Sequence, residues 1–140
     1  MFAAAGIYAV KACANLNGIM VEMGNIDSSA RVLDLGCGNG TTSIWLRTSQ
    51  DCHVTGVDLS GVRVQNALNA KAGLDQQTQE RLEFQKASAT ELPFEDESFT
   101  HLWSQAVIYH VPDKVGALSE AYRVLAKGGI MVFDDLIKPQ

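Results

Sequence analysis

Three glycines at every second position follow a short apolar segment in RVLDLGCGNG, residues 31–40. The segment RVLDL has the composition of a buried strand, and Gly36, Gly38 and Gly40 come directly after it. Glycine has no Cβ, so it adopts positive φ readily and lets a ligand approach the main chain closely. The threonines that follow begin a helix pattern, and a helix N-terminus directs unpaired N–H groups outward. The stretch predicts a pocket for a polar ligand; a turn needed for packing alone is the alternative.

Two carboxylates accompany the glycines. Asp34 lies two residues before Gly36, and Asp58 ends the next predicted strand. A carboxylate at the second position accepts hydrogen bonds from the two vicinal hydroxyls of a ribose. The alternative for Asp58 is to cap the following helix, a role that Ser60 can fill instead. The dinucleotide motif G-x-G-x-x-G would need glycine where Thr41 stands, which disfavours a nicotinamide-dependent oxidoreductase.

Predicted strands and helices alternate from Arg31 onward. The strands are predicted at 31–36, 52–59, 81–86, 98–105 and 129–135, and the helices at 41–48, 61–73 and 113–129. Ile44 and Trp45 are expected on the core side of the first of these helices. Such alternation implies a parallel sheet with helices on both faces. Residues 1–24 are predicted as one or two helices, broken near Asn17-Gly18.

The composition limits which binding partners and which cellular compartment are expected. The chain has 140 residues and a net charge of −5, without a run of Lys or Arg, so neither nucleic acid nor a membrane is expected as a partner. The length fits a single domain, with a helical segment at 1–29 and a ligand-binding core at 30–140. No stretch is long enough to cross a bilayer. The three cysteines form no C-x-x-C pair, which predicts a cytoplasmic protein without a metal site.

Four stretches resemble, in order, the successive motifs of class I S-adenosylmethionine-dependent methyltransferases. They are VLDLGCGNGTTSIWL, VTGVDLS, ATELPFEDESFTHLWSQAVIYHVPD and AYRVLAKGGIMVFDD. Within that superfamily they are similar to small-molecule enzymes that modify amines, quinones or sterols, and WSQAVIYHVPDK resembles the sarcosine/dimethylglycine methyltransferase branch. The resemblance implies a Rossmann-like, doubly wound α/β sheet of five parallel strands in the order 3-2-1-4-5. It also implies S-adenosylmethionine as the cofactor.

The resemblance further implies a set of cofactor-binding residues at the carboxyl ends of the strands. They are Asp34, Gly36, Cys37, Gly38 and Gly40 around the methionine part, Asp58 at the ribose, Leu59, Ser88, Ala89 and Thr90 at the adenine, and Ser104 and Gln105 facing the methyl-donor crevice. Cys37 is expected to be a small buried filler without a redox role. Ser88 stands where the family usually has an aspartate, and a hydroxyl accepts a weaker hydrogen bond than a carboxylate does.

Tyr109 and His110 are the catalytic candidates, because the family often places an aromatic residue or a histidine there, near the methyl acceptor. His110 would act as a base toward a hydroxyl or an acidic carbon. A tertiary amine needs no base, and Tyr109 would then stabilise the forming ammonium ion. The alternative for His110 is to cap the Pro-Asp turn that follows.

The expected function is methyl transfer to a small-molecule acceptor by in-line displacement. The alternative is a truncated, non-catalytic module that binds a cofactor or a partner, because the family's usual C-terminal antiparallel hairpin would follow the fifth strand, where this sequence stops. The free edge of residues 129–135 makes a homodimer through that strand plausible, although Asp134 and Asp135 would discourage promiscuous pairing.

Overall fold

The computed structural model describes residues 2–135, with side chains from Cys13 onward. Along the chain the elements are α1 (Phe2–Gly24), β1 (Arg31–Leu35), α2 (Thr41–Gln50), β2 (His53–Asp58), α3 (Gly61–Ala72), α4 (Gln76–Gln79), β3 (Leu82–Lys86), β4 (Phe99–Gln105), a 3-10 helix (Ile108–His110), α5 (Lys114–Val124) and β5 (Leu125–Asp134). Neither α4 nor the 3-10 helix was expected from the sequence. Among residues 2–135 no helix is both long and apolar enough to cross a bilayer.

The five described strands form one parallel sheet in the order β3-β2-β1-β4-β5, which confirms the predicted fold class. Asp34 pairs with Gly56 on one side and with Trp103 on the other. The order in which successive strands are added to the sheet reverses between β1 and β4, and a ligand crevice is expected beyond the carboxyl ends of strands at such a switch point.

Side chains alternate between the two faces of the sheet and build a core on each. The face beneath α1, α2 and α3 is packed by fourteen buried residues, among them Val32, Leu46, Val54 and Trp103. The opposite face packs against α5 through Leu33, Leu35, Leu102, Ala117 and their neighbours. Both faces are therefore covered, as parallel sheets require.

The predicted break near Asn17-Gly18 is wrong, because α1 runs without interruption through both residues. Gly18 is exposed and a Cβ placed on it would meet no described atom within 4 Å, so the helix bears only the intrinsic cost of glycine, about 1 kcal/mol. Neighbouring residues anchor the helix: Met20 is buried in the core and Asn17 is buried against Gln105. Tertiary packing thus outweighs the local preference.

Ile44 and Trp45 of α2 pack against the core as predicted, but they are not the most deeply buried residues of this helix. Ile44 and Trp45 are half-buried, whereas the fully enclosed residues are Ser43, Leu46 and Arg47. The Arg47 guanidinium can be buried because every part of it has an acceptor: it donates to the carbonyls of Gln77 and Thr78 at 2.8 and 3.1 Å and pairs with Asp51. A hydrophobicity pattern cannot detect this arrangement.

The predicted third helix extends too far. It ends at Val124, and Leu125 already pairs with Phe99 as the first residue of β5. The register then shifts, since His101 pairs with Ile130, so β5 carries extra residues opposite β4. Gly128 has a φ of 76° in this bulge. Gly128 and Gly129, which the prediction placed at the end of the helix, therefore belong to a bulge within the strand.

Candidate functional site

A cavity of about 770 Å³ opens at the carboxyl edge of the sheet, a size typical of sites for small ligands. It lies beside the turns after β1 and β2 and is closed by the loops that follow β3 and β4. Eight of the predicted site residues line it: Gly36, Asp58, Leu59, Ser88, Ala89, Thr90, Gln105 and His110.

The Asp58 carboxylate is held by two main-chain donors. Gly38 N–H donates to Asp58 Oδ2 and Ser60 N–H donates to Asp58 Oδ1, both at 2.9 Å. Each carboxylate oxygen accepts more than one hydrogen bond, so both keep capacity for ligand hydroxyls. Ser60, not Asp58, caps α3, because its hydroxyl accepts from Arg63 N–H at 3.3 Å. Asp58 is therefore fixed in position without being consumed as a cap.

The three glycines of the first turn all have positive φ but differ in their surroundings. A Cβ on Gly36 would lie 2.3 Å from Val107 Cγ2, and one on Gly40 would lie 2.8 Å from Phe84 Cζ. A Cβ on Gly38 would meet no described atom within 4 Å. The packing explanation thus applies to Gly36 and Gly40, whereas Gly38 exposes bare main chain to open space.

The N-terminus of α2 meets this turn without a side-chain cap. Its N-cap residue is Gly40, with a φ of 87°, and the structure describes no side-chain hydrogen bond that caps this end of the helix. The turn is tied to β2, since the N–H groups of Gly36 and Cys37 both donate to the carbonyl of Val57 at 2.8 Å. The uncapped end attracts carboxylates and other polar ligand groups.

Burial and negative charge dominate the electrostatics beneath the turn. Burial raises the pKa of Asp34 to about 6; a hydrogen bond from Ser43 Oγ at 2.5 Å opposes this shift, and the charge of Asp58 adds to it. Burial, with the charges of Asp34 and Asp58, raises the pKa of the Cys37 thiol to about 12. Cys37 therefore stays a neutral thiol, and the two carboxylates favour a ligand that carries positive charge.

Six predicted site residues do not line the cavity: Asp34, Cys37, Gly38, Gly40, Ser104 and Tyr109. The glycine-turn members adjoin it through Gly36. The expectation that Ser104 faces the crevice is not met, because its side chain is fully buried and its hydroxyl has no partner among the described residues. Successive strand residues point to opposite faces, so Ser104 and Gln105 cannot both face one ligand.

Gln105 connects the cavity to two helices. Its amide nitrogen donates to Asn17 Oδ1 of α1 at 2.5 Å, and its amide oxygen accepts from Thr42 Oγ1 of α2 at 3.3 Å. The same nitrogen lies 3.5 Å from Met20 Sδ. Gln105 is thereby held between the cavity and α1, a contact that strand-helix patterning gave no means to predict.

The residues expected around an adenine ring lie together after β2 and β3. Ser88 Oγ and Thr90 Oγ1 are 2.9 Å apart, and Thr90 N–H also points to Ser88 Oγ at 3.3 Å. Leu59 is 70 % exposed although it is apolar. An exposed leucine at the mouth of a cavity provides a surface on which a flat apolar ligand group can pack.

His110 and Tyr109 belong to the 3-10 helix beyond β4. Their rings meet edge to face with centroids 5.3 Å apart, but His110 lines the cavity whereas Tyr109 is 41 % exposed outside it. The main chain of Tyr109 is anchored, because its N–H donates to Asp135 Oδ2 at 2.7 Å. Asp113 caps α5 by accepting from Gly116 N–H.

Sequence reasoning missed several residues of the cavity wall, notably Arg63, Ala106 and Val107. Ala106 has a φ of 54°, which is unusual for a residue with a Cβ and marks strain at the end of β4. The position of this loop directly after β4 was a usable signal, because loops at this edge form the ligand site. Arg63 carried no such signal beyond its place in the first turn of α3.

The family model for the methyltransferase domain matches residues 33–133, which contain all five strands except the first residues of β1 and the end of β5. The chain belongs to this methyltransferase domain family. The match includes the glycine turn, Asp58 and the loops around the cavity. The fold seen in the structure is therefore consistent with the family that the sequence matches.

Among curated proteins, this methyltransferase domain is 38 % identical over 109 residues to 27-O-demethylrifamycin SV methyltransferase of Amycolatopsis mediterranei, covering 76 % of this chain and 39 % of that protein. It is 33 % identical over 111 residues to glycine/sarcosine/dimethylglycine N-methyltransferase of Actinopolyspora halophila, covering 79 % of this chain and 19 % of that protein. The chain therefore spans less than half the length of these relatives.

Among solved structures, the domain resembles the cyclase SpnF with a TM-score of 0.80 and 26 % identity, over 86 % of this chain and 44 % of that one. The three names describe an O-methyltransferase, an N-methyltransferase and a cyclase. One architecture thus carries different chemistries, so the reaction must be argued from the site.

Proposed function

We propose that this domain catalyses S-adenosylmethionine-dependent methyl transfer to a small-molecule acceptor by in-line displacement. The observation that carries the proposal is the pairing of Gly38 with Asp58 at the cavity mouth. It combines bare main chain, a carboxylate with spare acceptor capacity and a cavity of suitable size in a chain of the methyltransferase family. A nucleoside with a positively charged substituent matches that combination.

The residues present fit this cofactor. Asp58 would accept the ribose hydroxyls, Leu59 would pack on the adenine, and Ser88 with Ala89 and Thr90 would surround its edge. The uncapped α2 N-terminus would hold the methionine carboxylate, and Asp34 would offset the positive charge from below. When bound, the cofactor supplies a methyl group already activated by the sulfonium, so the protein mainly aligns the reactants and excludes water.

The catalytic roles of the 3-10 helix depend on the acceptor. His110 would take a proton from a hydroxyl or an acidic carbon, whereas Tyr109 would stabilise a forming ammonium ion. His110 lines the cavity, which supports its role as a base. Tyr109 is exposed outside the cavity, so it would stabilise an ammonium ion only if the acceptor lay beyond the cavity. Measuring methyl transfer by His110→Ala separates the two, because an unchanged rate removes the base.

The experiment that tests the proposal is calorimetric titration with S-adenosylmethionine, S-adenosylhomocysteine and NAD, followed by a turnover screen with amines, phenols and alcohols. We expect both sulfur nucleosides to bind, NAD not to bind, and S-adenosylhomocysteine to accumulate with at least one acceptor class. Binding of NAD alone would overturn the proposal.

A second candidate is a module that binds the cofactor without transferring the methyl group. The likeness to a cyclase of the same architecture supports this second candidate. Tight binding of the sulfur nucleosides without turnover across the whole acceptor panel would support this candidate.

We also propose that two copies of the chain pair through β5 and that the protein works in the cytoplasm. β5 is the last strand of the described sheet, and Phe133 on it is 55 % exposed. Cys13, Cys37 and Cys52 are free thiols, which suits a reducing compartment. Sedimentation of the wild type and of Phe133→Lys tests the dimer.

A further inference from the structure

The side-chain amide of Gln105 is hydrogen-bonded on both sides by neighbouring residues. Its nitrogen donates to Asn17 Oδ1 at 2.5 Å and to Met20 Sδ at 3.5 Å, which uses both of its N–H groups. Its oxygen has two lone pairs, and one of them accepts from Thr42 Oγ1 at 3.3 Å. Within the described part of the chain, the second lone pair of Oε1 is left for a ligand in the cavity that Gln105 lines.

The contacts with α1 decide which way this amide faces. Met20 Sδ has no hydrogen to donate, so it cannot bond to the carbonyl oxygen of a reversed amide. Asn17 is buried, with only 8 % of its surface exposed, so its side chain has little room to turn away from Gln105. Thr42 does not select an orientation, because a hydroxyl can either donate or accept. Thus α1 holds the nitrogen of Gln105 and leaves its oxygen directed toward α2.

The available oxygen lies beside the end of the cavity proposed for the methionine part of the cofactor. Thr42, which contacts this oxygen, is the second residue of α2, and the uncapped N-terminus of α2 would hold the methionine carboxylate. In the cofactor the amino group is bonded to the same carbon as that carboxylate, and at neutral pH it is a protonated donor. A carbonyl oxygen accepts a stronger hydrogen bond from a charged donor than from a neutral one.

We propose that Asn17 is a positioning residue for the cofactor: it orients Gln105 so that Oε1 accepts a hydrogen bond from the ammonium group of the methionine part. This inference rests on the proposed cofactor site. Asn17 does not line the cavity itself, so it acts through Gln105. The adenine and ribose are assigned to other residues of the site, among them Leu59 and Asp58. The effect of Asn17 is therefore confined to ligands that carry the amino-acid part.

The test compares two ligands by calorimetry. S-adenosylhomocysteine carries the amino-acid part, whereas 5′-methylthioadenosine keeps the nucleoside and the sulfur but lacks the amino and carboxyl groups. Asn17→Leu removes the hydrogen-bond acceptor at similar size, and it should weaken binding of the first ligand about tenfold and of the second less than twofold. Asn17→Asp keeps an acceptor oxygen and should stay within threefold of the wild type for both ligands. Asn15→Leu makes the same substitution at an exposed position of α1 and should change neither affinity.

A double variant tests whether Asn17 acts through Gln105. Gln105→Met removes the ligand's acceptor and should also weaken S-adenosylhomocysteine binding about tenfold, with little effect on 5′-methylthioadenosine. Adding Asn17→Leu to Gln105→Met should then cost less than a further twofold, because the effects of residues in one hydrogen-bond network do not add. Two full tenfold losses in the double variant would overturn the positioning role.

The outcomes separate this inference from the proposed function. If the wild type binds S-adenosylhomocysteine, and Asn17→Leu either binds it equally well or loses affinity for both ligands alike, the role of Asn17 is overturned and the methyl-transfer proposal stands. If the wild type binds neither ligand, the proposed function itself fails. Equal affinity of the wild type for the two ligands also overturns the inference, and this comparison keeps the test decisive if Asn17→Leu does not fold.

Discussion

Gly38 N–H donates to Asp58 Oδ2 at 2.9 Å, so the open turn after β1 and the acid that ends β2 are held as one unit. The bond joins two neighbouring strands of the sheet at the point where the cavity opens. It fixes the carboxylate before any ligand arrives, and such preorganisation lowers the cost of binding. Since Gly38 takes part in this pair and Gly36 does not, substitutions at the two glycines should have different effects.

Gly36→Ala and Gly38→Ala should have different effects. The new methyl group on Gly36 would collide with Val107, and its positive φ adds strain, so we expect a loss of about 3 kcal/mol or more in the free energy of unfolding. Gly38 has open space around its Cβ position, so its substitution should cost about 1 kcal/mol from backbone strain. Gly38→Ala should weaken S-adenosylhomocysteine binding about tenfold, because the new methyl group would stand beside the Asp58 carboxylate at the edge of the cavity. Urea denaturation and calorimetry measure both; equal destabilisation by the two variants would contradict this explanation.

Asp34 should make the protein less stable as the pH rises. Its folded-state pKa of about 6 lies above the unfolded value of 3.8, so the folded state binds the proton more tightly. The stabilisation is fully present below pH 4 and is lost as the pH rises toward 6, on the order of 2–3 kcal/mol. Asp34→Asn should remove this component, as the difference between urea curves of variant and wild type at pH 4.5 and 7 would show. Parallel pH profiles for the two proteins would refute it.

The cysteines should differ sharply in reactivity. Burial raises the pKa of Cys37 and Cys52 to about 12 and 11, whereas Cys13 is exposed. Since the thiolate is the reactive form, we expect one thiol per native chain to react with a disulfide reagent at pH 8. All three should react after denaturation. Rapid labelling of Cys37 in the folded protein, detected by mass spectrometry of its peptide, would show that the glycine turn is more open than described.

Arg123 should stabilise the loop that leads from the cavity to β4. Its guanidinium donates to the carbonyls of Phe94 and Leu92 at 2.7 and 3.0 Å and also pairs with Glu120. Arg123→Ala leaves these acceptors without their donor, so we expect a loss of about 2 kcal/mol and faster proteolysis between residues 92 and 98. Arg81→Ala is the control, because its exposed pair with Asp51 should contribute less than about 1 kcal/mol. Similar losses in both variants would argue against the anchoring role.

Much of the fold was predictable because the signals are local. RVLDL and the following glycines identify the first strand and its turn, and the alternation of elements implies the parallel sheet. The errors arise where distant residues decide. Gly18 stays helical because of contacts made by its neighbours, and residues 125–129 join a strand because β4 offers a partner.

The candidate site was predictable to a similar extent as the fold. Asp58 and the glycines follow from spacing, but the contact of Gly36 with Val107 joins residues far apart in the sequence. Ser104 and Gln105 point to opposite faces because they are successive strand residues, but which of the two faces the cavity depends on strand register, which cannot be read from one sequence. Asp134 was interpreted as a residue that discourages pairing at the edge of β5. Its unpaired oxygen became visible only with the packing around it.

The most direct test of the account is the affinity of the wild type and of Asp58→Asn for S-adenosylhomocysteine, measured by calorimetry at pH 7. We expect the wild type to bind and the variant to bind at least tenfold more weakly, because the amide keeps one acceptor and loses the charge that strengthens both hydrogen bonds to the ribose. Glu22→Gln is the control for loss of charge, and thermal unfolding of each sample verifies the fold. No binding by the wild type, or equal affinity of the wild type and Asp58→Asn, would contradict the account.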